Sequence, residues 1–364
     1  MSAITSWEEA SLLNNSFLGF IGIVLVSFII VDVLWTTLRL HGGGPITERL
    51  ANGLWRLALL FHKAFPSHRL LAAVGFGIIL LNILVWFVGI WLGWTCVFMI
   101  DRFAVLNATT NVPASFVERA YYVGYSLITL GLGDFEPNGE VWQILTVVIS
   151  TNGFFFVTLI VTYLLPLLSA ATERRTVASY IYSLGNDPVD IVANAWNGAD
   201  CNVLSQYFTD LMPSILSLSQ QDLAYPIVFC FHNQERENEI GPAIATLGEV
   251  LLLLEHGLPA ENRIDRLITS SLWGAIGVYL STLDATAIDP ADEPPPLPNL
   301  AQLRERGVPT VSDSTFCEGS RQRDFARKQL LAQLEWHGWY WDEVRGPHER
   351  QPVHRGVSDA VEQG

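Results

Sequence analysis

Three stretches without a formal charge limit what this chain can fold into. Residues 10–31, 70–100 and 141–172 are 22, 31 and 32 residues long and contain no Asp, Glu, Lys or Arg. A bilayer core is crossed by ~20 helical residues, and in hydrocarbon only a helix or a closed barrel satisfies its own backbone groups. The sequence therefore predicts three membrane-spanning helices. In the second run Trp86, Trp91 and Trp94 gather towards the far end, as interfacial aromatics do. The third run spans ~48 Å as a helix at 1.5 Å per residue, more than a bilayer core, so it is expected to project beyond the membrane. The opening residues, with Glu8 and Glu9, lack the basic start and small-residue cleavage site of a signal peptide, which favours a retained first helix. Asp32, just past the first run, is expected to pair with Arg39 or to sit among headgroups.

Charge divides the chain. Residues 1–172 carry 7 Lys/Arg against 9 Asp/Glu, whereas residues 173–364 carry 14 against 27, so most of the net −15 lies in the second half. An acidic domain repels nucleic acid, so none is expected as a partner. The four cysteines, Cys96, Cys201, Cys230 and Cys317, form no C-x-x-C pair and read as free thiols in a reducing compartment.

Topology follows from basic residues. Arg39, Arg49, Arg56, Lys63 and Arg69 oppose one acid, Glu48, over residues 39–69. This bias places the segment on the cytoplasmic side. Within it Glu48, Arg49, Asn52, Arg56 and Lys63 share one helical face, and Leu50, Leu54, Leu57 and Phe61 another, which suits an interfacial helix. The alternative is a helix packed on the cytoplasmic domain. Three spans then put the N-terminus and residues 101–140 outside and the acidic half inside, with Arg174 and Arg175 agreeing.

Residues 101–140 are too short for a domain and too apolar for a plain loop. Pro113 can open a short helix running through Tyr121, Tyr122 and Tyr125 to about Ile128. Residues 129–134 are expected to follow as an extended, glycine-punctuated strand. Non-helical backbone at membrane depth is tolerated only where it is buried or lines a water-filled path. Glycine permits the positive φ values that turn successive carbonyls to one side, and columns of carbonyls replace the hydration shell of a cation. A threonine hydroxyl adds an innermost ligand, and the helix end beneath contributes a negative dipole.

The order of outer helix, short re-entrant helix, Thr129-Leu130-Gly131-Leu132-Gly133-Asp134 and inner helix resembles the pore module of the potassium channel family. The motif is similar to the family's T-V-G-Y-G-D signature, and Ser126 matches a frequent pore-helix Ser/Thr. The resemblance covers residues 70–172. It implies K+ ligation by the backbone carbonyls of Thr129, Leu130, Gly131, Leu132 and Gly133 and by the Thr129 hydroxyl, with Ser126 and Asp134 supporting the filter. Leu130 stands where Val or Ile is usual, and Leu132 where the family has an aromatic that stiffens the filter. One pore loop supplies a quarter of a filter, so a homotetramer is implied. Gly153, 20 residues after Gly133, matches the family's glycine hinge. Pro166 removes the hydrogen bond to the Thr162 carbonyl and is expected to kink the inner helix at a gate. Asn152 either faces the cavity or bonds a neighbouring helix.

The acidic half reads as helices, with Asp187-Pro188 as a start and Asn197-Gly198 as a stop. No nucleotide-binding glycine fingerprint, P-loop, G-x-S-x-G or H-E-x-x-H is present, so no enzyme is expected. His232, Glu235, Glu237 and Glu239 read as a solvated turn rather than a metal site. Trp336, Trp339, Tyr340 and Trp341 either dock on the helical domain or touch a ligand or the membrane.

These readings give an all-α membrane protein. Its segments are an N-terminal span (residues 1–38), an interfacial helix (39–69), a pore module (70–172), a helical cytoplasmic domain (173–287), a Pro-rich linker (288–312), a C-terminal helix with aromatic cluster (313–345) and a disordered tail (346–364). The expected function is passive K+ conduction across a plasma (inner) membrane by a homotetramer in contact with membrane lipid. K+ is the permeant ion, no organic cofactor is needed, and the cytoplasmic domain, with a possible unknown ligand or protein on it, gates the pore. Rival readings are a weakly selective cation channel and a poorly conducting membrane anchor for a partner-binding domain.

Overall fold

A computed structural model of the chain describes residues 2–38, 43–282 and 288–345. The three uncharged runs are the cores of three long helices: α1 (Ser2–Leu38), α3 (His68–Val97) and α5 (Glu140–Tyr182). Between the first two lies the amphipathic α2 (Pro45–Ala64). Between the last two lie a short strand β1 (Val105–Asn107), the helix α4 (Phe116–Leu127) and a second strand β2 (Phe135–Pro137). Among the described residues seven further α-helices follow: α6 (Pro188–Ala195), α7 (Leu204–Ala224), α8 (Ile240–Leu252), α9 (Arg266–Ser281), α10 (Leu300–Glu305), α11 (Asp313–Ser320) and α12 (Asp324–Trp336). The architecture is that of an all-α membrane protein with an additional helical domain.

Two compact units divide these elements. The first comprises Met1–Arg56, Val74–Ser169 and Ala224–Ile227; the second comprises Leu57–Ala73, Ala170–Leu223 and Val228–Gly364. The boundaries differ from those expected. The second half of α2 and the first turns of α3 belong with the acidic half rather than forming part of a free interfacial segment. Residues 288–312 are not a loose linker either. Leu300 and Leu303 are buried in the second unit, and the Pro296 carbonyl accepts from Arg327 Nη2 at 3.0 Å. The acids and bases 173–175 do not end the inner helix, which runs on to Tyr182. The expected disordered tail lies outside the described residues.

In the first unit α1 packs on α3 through Val26, Ile29 and Val33 against Trp86, Ile90 and Trp94. The two helices are joined to α2 by a buried carboxylate. Asp32 is fully enclosed and accepts three hydrogen bonds: from Trp86 Nε1 at 2.8 Å, Thr47 Oγ1 at 2.9 Å and the Ile46 amide at 2.8 Å. Headgroup exposure is thus corrected. The acid sits where α2 starts and satisfies an orphan amide of that helix. The Gly44 amide completes the corner by donating to Thr36 Oγ1 at 2.8 Å.

The second unit is built around α8. All 13 residues of this helix are buried, and they pack against α6, α9 and α12. With the π-helical turn that continues it to Gly257, it is long and apolar enough to cross a membrane, but 89% of that stretch is buried inside the protein. A helix that is apolar all round belongs either in a membrane or in a core; here it is in a core. A buried ion pair braces it, Arg327 Nε–Glu249 Oε1 at 2.7 Å, and a second, Arg174 Nη2–Asp222 Oδ1 at 2.5 Å, joins α5 to α7. Trp339 and Trp341 join the same core, the first of the two alternatives for the aromatic cluster, whereas Tyr340 is exposed.

The turn at 232–239 is only half solvated. Glu235 and Glu237 are exposed, whereas His232 and Glu239 are buried. Glu239 accepts from the Asn233 amide at 2.7 Å and lies 3.4 Å from His337 Nδ1. Burial raises its carboxyl to about 7, and burial holds His337 well below the usual histidine range. The folded state therefore keeps a proton on Glu239 that the unfolded chain loses near pH 4.5, so stability falls as pH rises through the 4.5–7 window. Across that window the loss is about 3 kcal/mol at most. Thermal unfolding in detergent at a series of pH values checks this. Glu239→Gln should flatten the decline between pH 4.5 and about 7, and an unchanged slope would refute the assignment.

Candidate pore and filter

The segment linking α3 to α5 folds back on itself through a set of specific contacts. α4 begins at Phe116, three residues later than Pro113 suggested, because Ser115 and Glu118 form a capping box. Ser115 Oγ accepts the Glu118 amide at 3.4 Å, and Glu118 Oε2 accepts the Ser115 amide at 2.7 Å. Pro113 instead bridges to Leu106.

Next to this cap is Arg119, only 4% exposed. Its guanidinium donates to the carbonyls of Phe98 at 2.9 Å, Asp101 at 3.0 Å, Arg102 at 2.5 Å and Ala114, through Nε, at 3.0 Å. Three of these carbonyls end α3 or follow it, where a cation suits the helix dipole. The planar fork of donors ties the outer helix to the start of the re-entrant helix. Sequence reasoning passed over Arg119; a lone arginine amid the aromatics of a pore loop was the available signal.

At its other end α4 closes with tight turns: the Thr129 amide donates to the Ser126 carbonyl at 3.1 Å and the Leu130 amide to the Tyr125 carbonyl at 2.8 Å. Residues 129–134 are not a strand. Thr129, Gly131 and Gly133 have φ of +57°, +57° and +81°, so every second residue is left-handed. Alternation of left-handed with ordinary backbone keeps successive carbonyls on one side of the chain, whereas a regular strand turns them alternately to opposite sides. Thr129 adopts this conformation without being glycine, a sparsely populated state that clusters at functional sites. Regular pairing resumes only at β2, which is antiparallel to β1 in the register Val105↔Pro137.

Tyr125 packs against the chain that follows this segment. Its hydroxyl donates to the Phe135 carbonyl at 2.8 Å, and the rings of Tyr121 and Tyr122 meet it edge-on at 5.2 and 5.3 Å. The side chains of Leu130 and Leu132 are exposed on the single chain.

The inner helix buttresses the same region. Ser150 Oγ donates to the Ser126 carbonyl at 3.0 Å, and Tyr122 and Thr146 share a hydroxyl hydrogen bond at 2.5 Å. Gly153 is where α5 touches the end of α4, and a Cβ there would lie 1.6 Å from the Leu127 carbonyl oxygen. Thr129 borders an open depression of about 410 Å³ with Thr146, Val147, Ser150, Thr151 and Phe154. Asn152 lines a different space, a groove of about 360 Å³ with Ile30, Val33, Ile90 and Phe156. α5 runs through Pro166 as one continuous helix. Asp134 is exposed, its carbonyl accepting from the Ala108 amide at 3.0 Å.

A family model described as an ion channel matches residues 83–170, which span this whole arrangement. The chain is also 33% identical over 297 residues to the uncharacterized membrane protein YdjJ of Bacillus subtilis (strain 168), covering 81% of this chain and 86% of that protein. The chain belongs to the ion channel family, with a pore domain of the potassium-channel type. No solved structure matches it. The match takes in each of these groups. Residues 129–133 leave α4 in a left-handed course, Tyr125 packs against the chain that follows them, and Arg119 and Gly153 fix α4 between the outer and inner helices. The match ends at residue 170, where the second compact unit begins on α5.

Proposed function

We propose that the protein is a homotetrameric, potassium-selective channel. Four copies of the segment 129–133 surround one axial path, and K+ exchanges its water for rings of backbone carbonyls and the Thr129 hydroxyl. The observation that carries this reading is the left-handed backbone at Thr129, Gly131 and Gly133 directly after the C-terminus of α4. Support for four copies is simpler: one chain has one such loop. Asp134 and Ser126 hold the filter ends, Gly153 and Pro166 shape the inner helix, and the helical domain on α5 gates the path. The protein sits in a plasma (inner) membrane with that domain in the cytoplasm. Reconstituted in liposomes, the channel should show a reversal potential that follows the K+ gradient. A reversal potential indifferent to that gradient would sink the proposal.

Leu132 favours a second reading, a cation channel of weaker selectivity, because no aromatic at that position packs behind the filter. Replacing Leu132 by Tyr should then raise the K+/Na+ permeability ratio by about tenfold, or ~1.4 kcal/mol of added discrimination. An unchanged ratio would leave strict selectivity as the better account, with Tyr125 as the stiffening ring.

A further inference from the structure

A pocket of the second unit lies where α2 ends and α3 begins. It has a volume of about 160 Å³ and is lined by Leu59, His62, Lys63, Glu335, Gly338, Trp339 and Tyr340. One water occupies ~30 Å³ of liquid, so the space exceeds what a single buried water fills.

Two of the lining residues, His62 and Trp339, each carry a buried ring nitrogen without a hydrogen-bond partner among the described residues. His62 is 2% exposed and Trp339 3%. His62 Nδ1 accepts the Ser67 amide at 3.0 Å. A backbone amide can only donate, so the ring carries its hydrogen on Nε2, and that N–H is unpartnered. Trp339 Nε1, a donor only, is unpartnered as well. Burying an unmade hydrogen bond costs ~1–3 kcal/mol, so two in one pocket call for an acceptor. Lys63 adds a full positive charge to the same lining. Glu335, exposed, is the one acid there, which disfavours a dianion and favours a single negative charge.

The surroundings supply such a group. Only residues 65–67 separate α2 from the membrane-spanning α3. On the last turns of α2 and just past it, Leu57, Leu60, Phe61 and Phe65 expose 51%, 65%, 55% and 75% of their surface, one apolar stripe at helical spacing beside the pocket. Such a stripe on a membrane protein lies in the interface, at the depth of headgroups.

We infer that this pocket binds a monoanionic phosphodiester, the headgroup linkage of a membrane phospholipid. The phosphodiester oxygens take hydrogen bonds from His62 Nε2 and Trp339 Nε1 and pair with the Lys63 ammonium, while the acyl chains lie along the exposed stripe of α2. A soluble phosphodiester offers the same oxygens, so the tails distinguish the sources.

The test uses the full chain in detergent and calorimetric titration with dihexanoyl phosphatidylglycerol below its micelle concentration. Tailless glycerophosphoglycerol serves as the second probe. The lipid probe should bind the wild type, and Lys63→Gln and Trp339→Phe should each weaken it at least tenfold. Leu267→Gln, an exposed position on α9, should leave it unchanged. Lys63 is exposed, so its substitution does not threaten folding, and thermal unfolding of each variant checks this directly. Absence of lipid-probe binding to the wild type, or equal binding by both pocket variants, would overturn the site. Equal affinity for the tailless probe would overturn the lipid as source.

Discussion

Gly153→Ala should silence the pore. The added Cβ would meet Leu127 O at 1.6 Å, Leu127 C at 2.7 Å and Leu127 Cα at 3.3 Å. These are backbone atoms of the last turn of α4, so no rotamer change relieves the clash. Either α4 or α5 must retreat by more than an ångström. The turns that launch the filter, Thr129 amide to Ser126 carbonyl and Leu130 amide to Tyr125 carbonyl, would move with it. Overpacking of this kind costs about 1–3 kcal/mol where side chains can adjust, and more is expected against rigid backbone. Ion flux per reconstituted protein should fall at least tenfold and the unfolding temperature should drop. Gly77→Ala, whose Cβ would meet nothing within 4 Å, is the matched control. A Gly153→Ala protein that is as stable as wild type but opens differently would show that the residue serves as a hinge and not as a contact.

The second large effect is expected at Asp32. Asp32→Ala leaves three donors stranded together: Trp86 Nε1, Thr47 Oγ1 and the Ile46 amide. Each buried orphan costs ~1–3 kcal/mol, although transmembrane hydrogen bonds tend towards the low end. A loss of about 3 kcal/mol is expected, read as a lowered unfolding temperature in detergent. Trp86→Phe removes one donor and leaves the carboxylate two, so it should cost roughly 1 kcal/mol. A wild-type melting curve for Asp32→Ala would mean that the corner is held by packing alone.

The unusual backbone after α4 was legible in the sequence because its pattern is local. Residues 126–134 follow one another in the chain, and glycine at alternate positions announces the left-handed backbone later found at Gly131 and Gly133. The spans were legible because hydrocarbon imposes length and absence of charge together. Other parts depended on contacts far apart in sequence. Asp32 meets groups 14, 15 and 54 positions away, so its cradle left no local pattern. Arg119 caps carbonyls up to 21 positions upstream. The Pro-rich residues 288–312 looked like a linker by composition, yet Leu300 and Leu303 pack into the core and Arg327 grips the Pro296 carbonyl. Glu239 and Glu237 are chemically alike and two residues apart, and only the fold decides that one is enclosed and the other wet. Likewise α8 and the spans share a composition, because a protein core and a lipid tail make the same demand of a helix.

The burial of Arg119 reaches beyond the helices it joins. Between residues 101 and 140 the chain has five carboxylates, Asp101, Glu118, Asp134, Glu136 and Glu140, and two guanidiniums. All five acids and Arg102 reach solvent, whereas the charge of Arg119 is wrapped in carbonyl oxygens. The water around residues 101–140 thus meets five negative groups against one positive. Such a surface draws counter-ions into a layer about a Debye length deep, ~8 Å at physiological salt. A fastening made for mechanical reasons leaves an electrical atmosphere enriched in cations where ions would enter or leave.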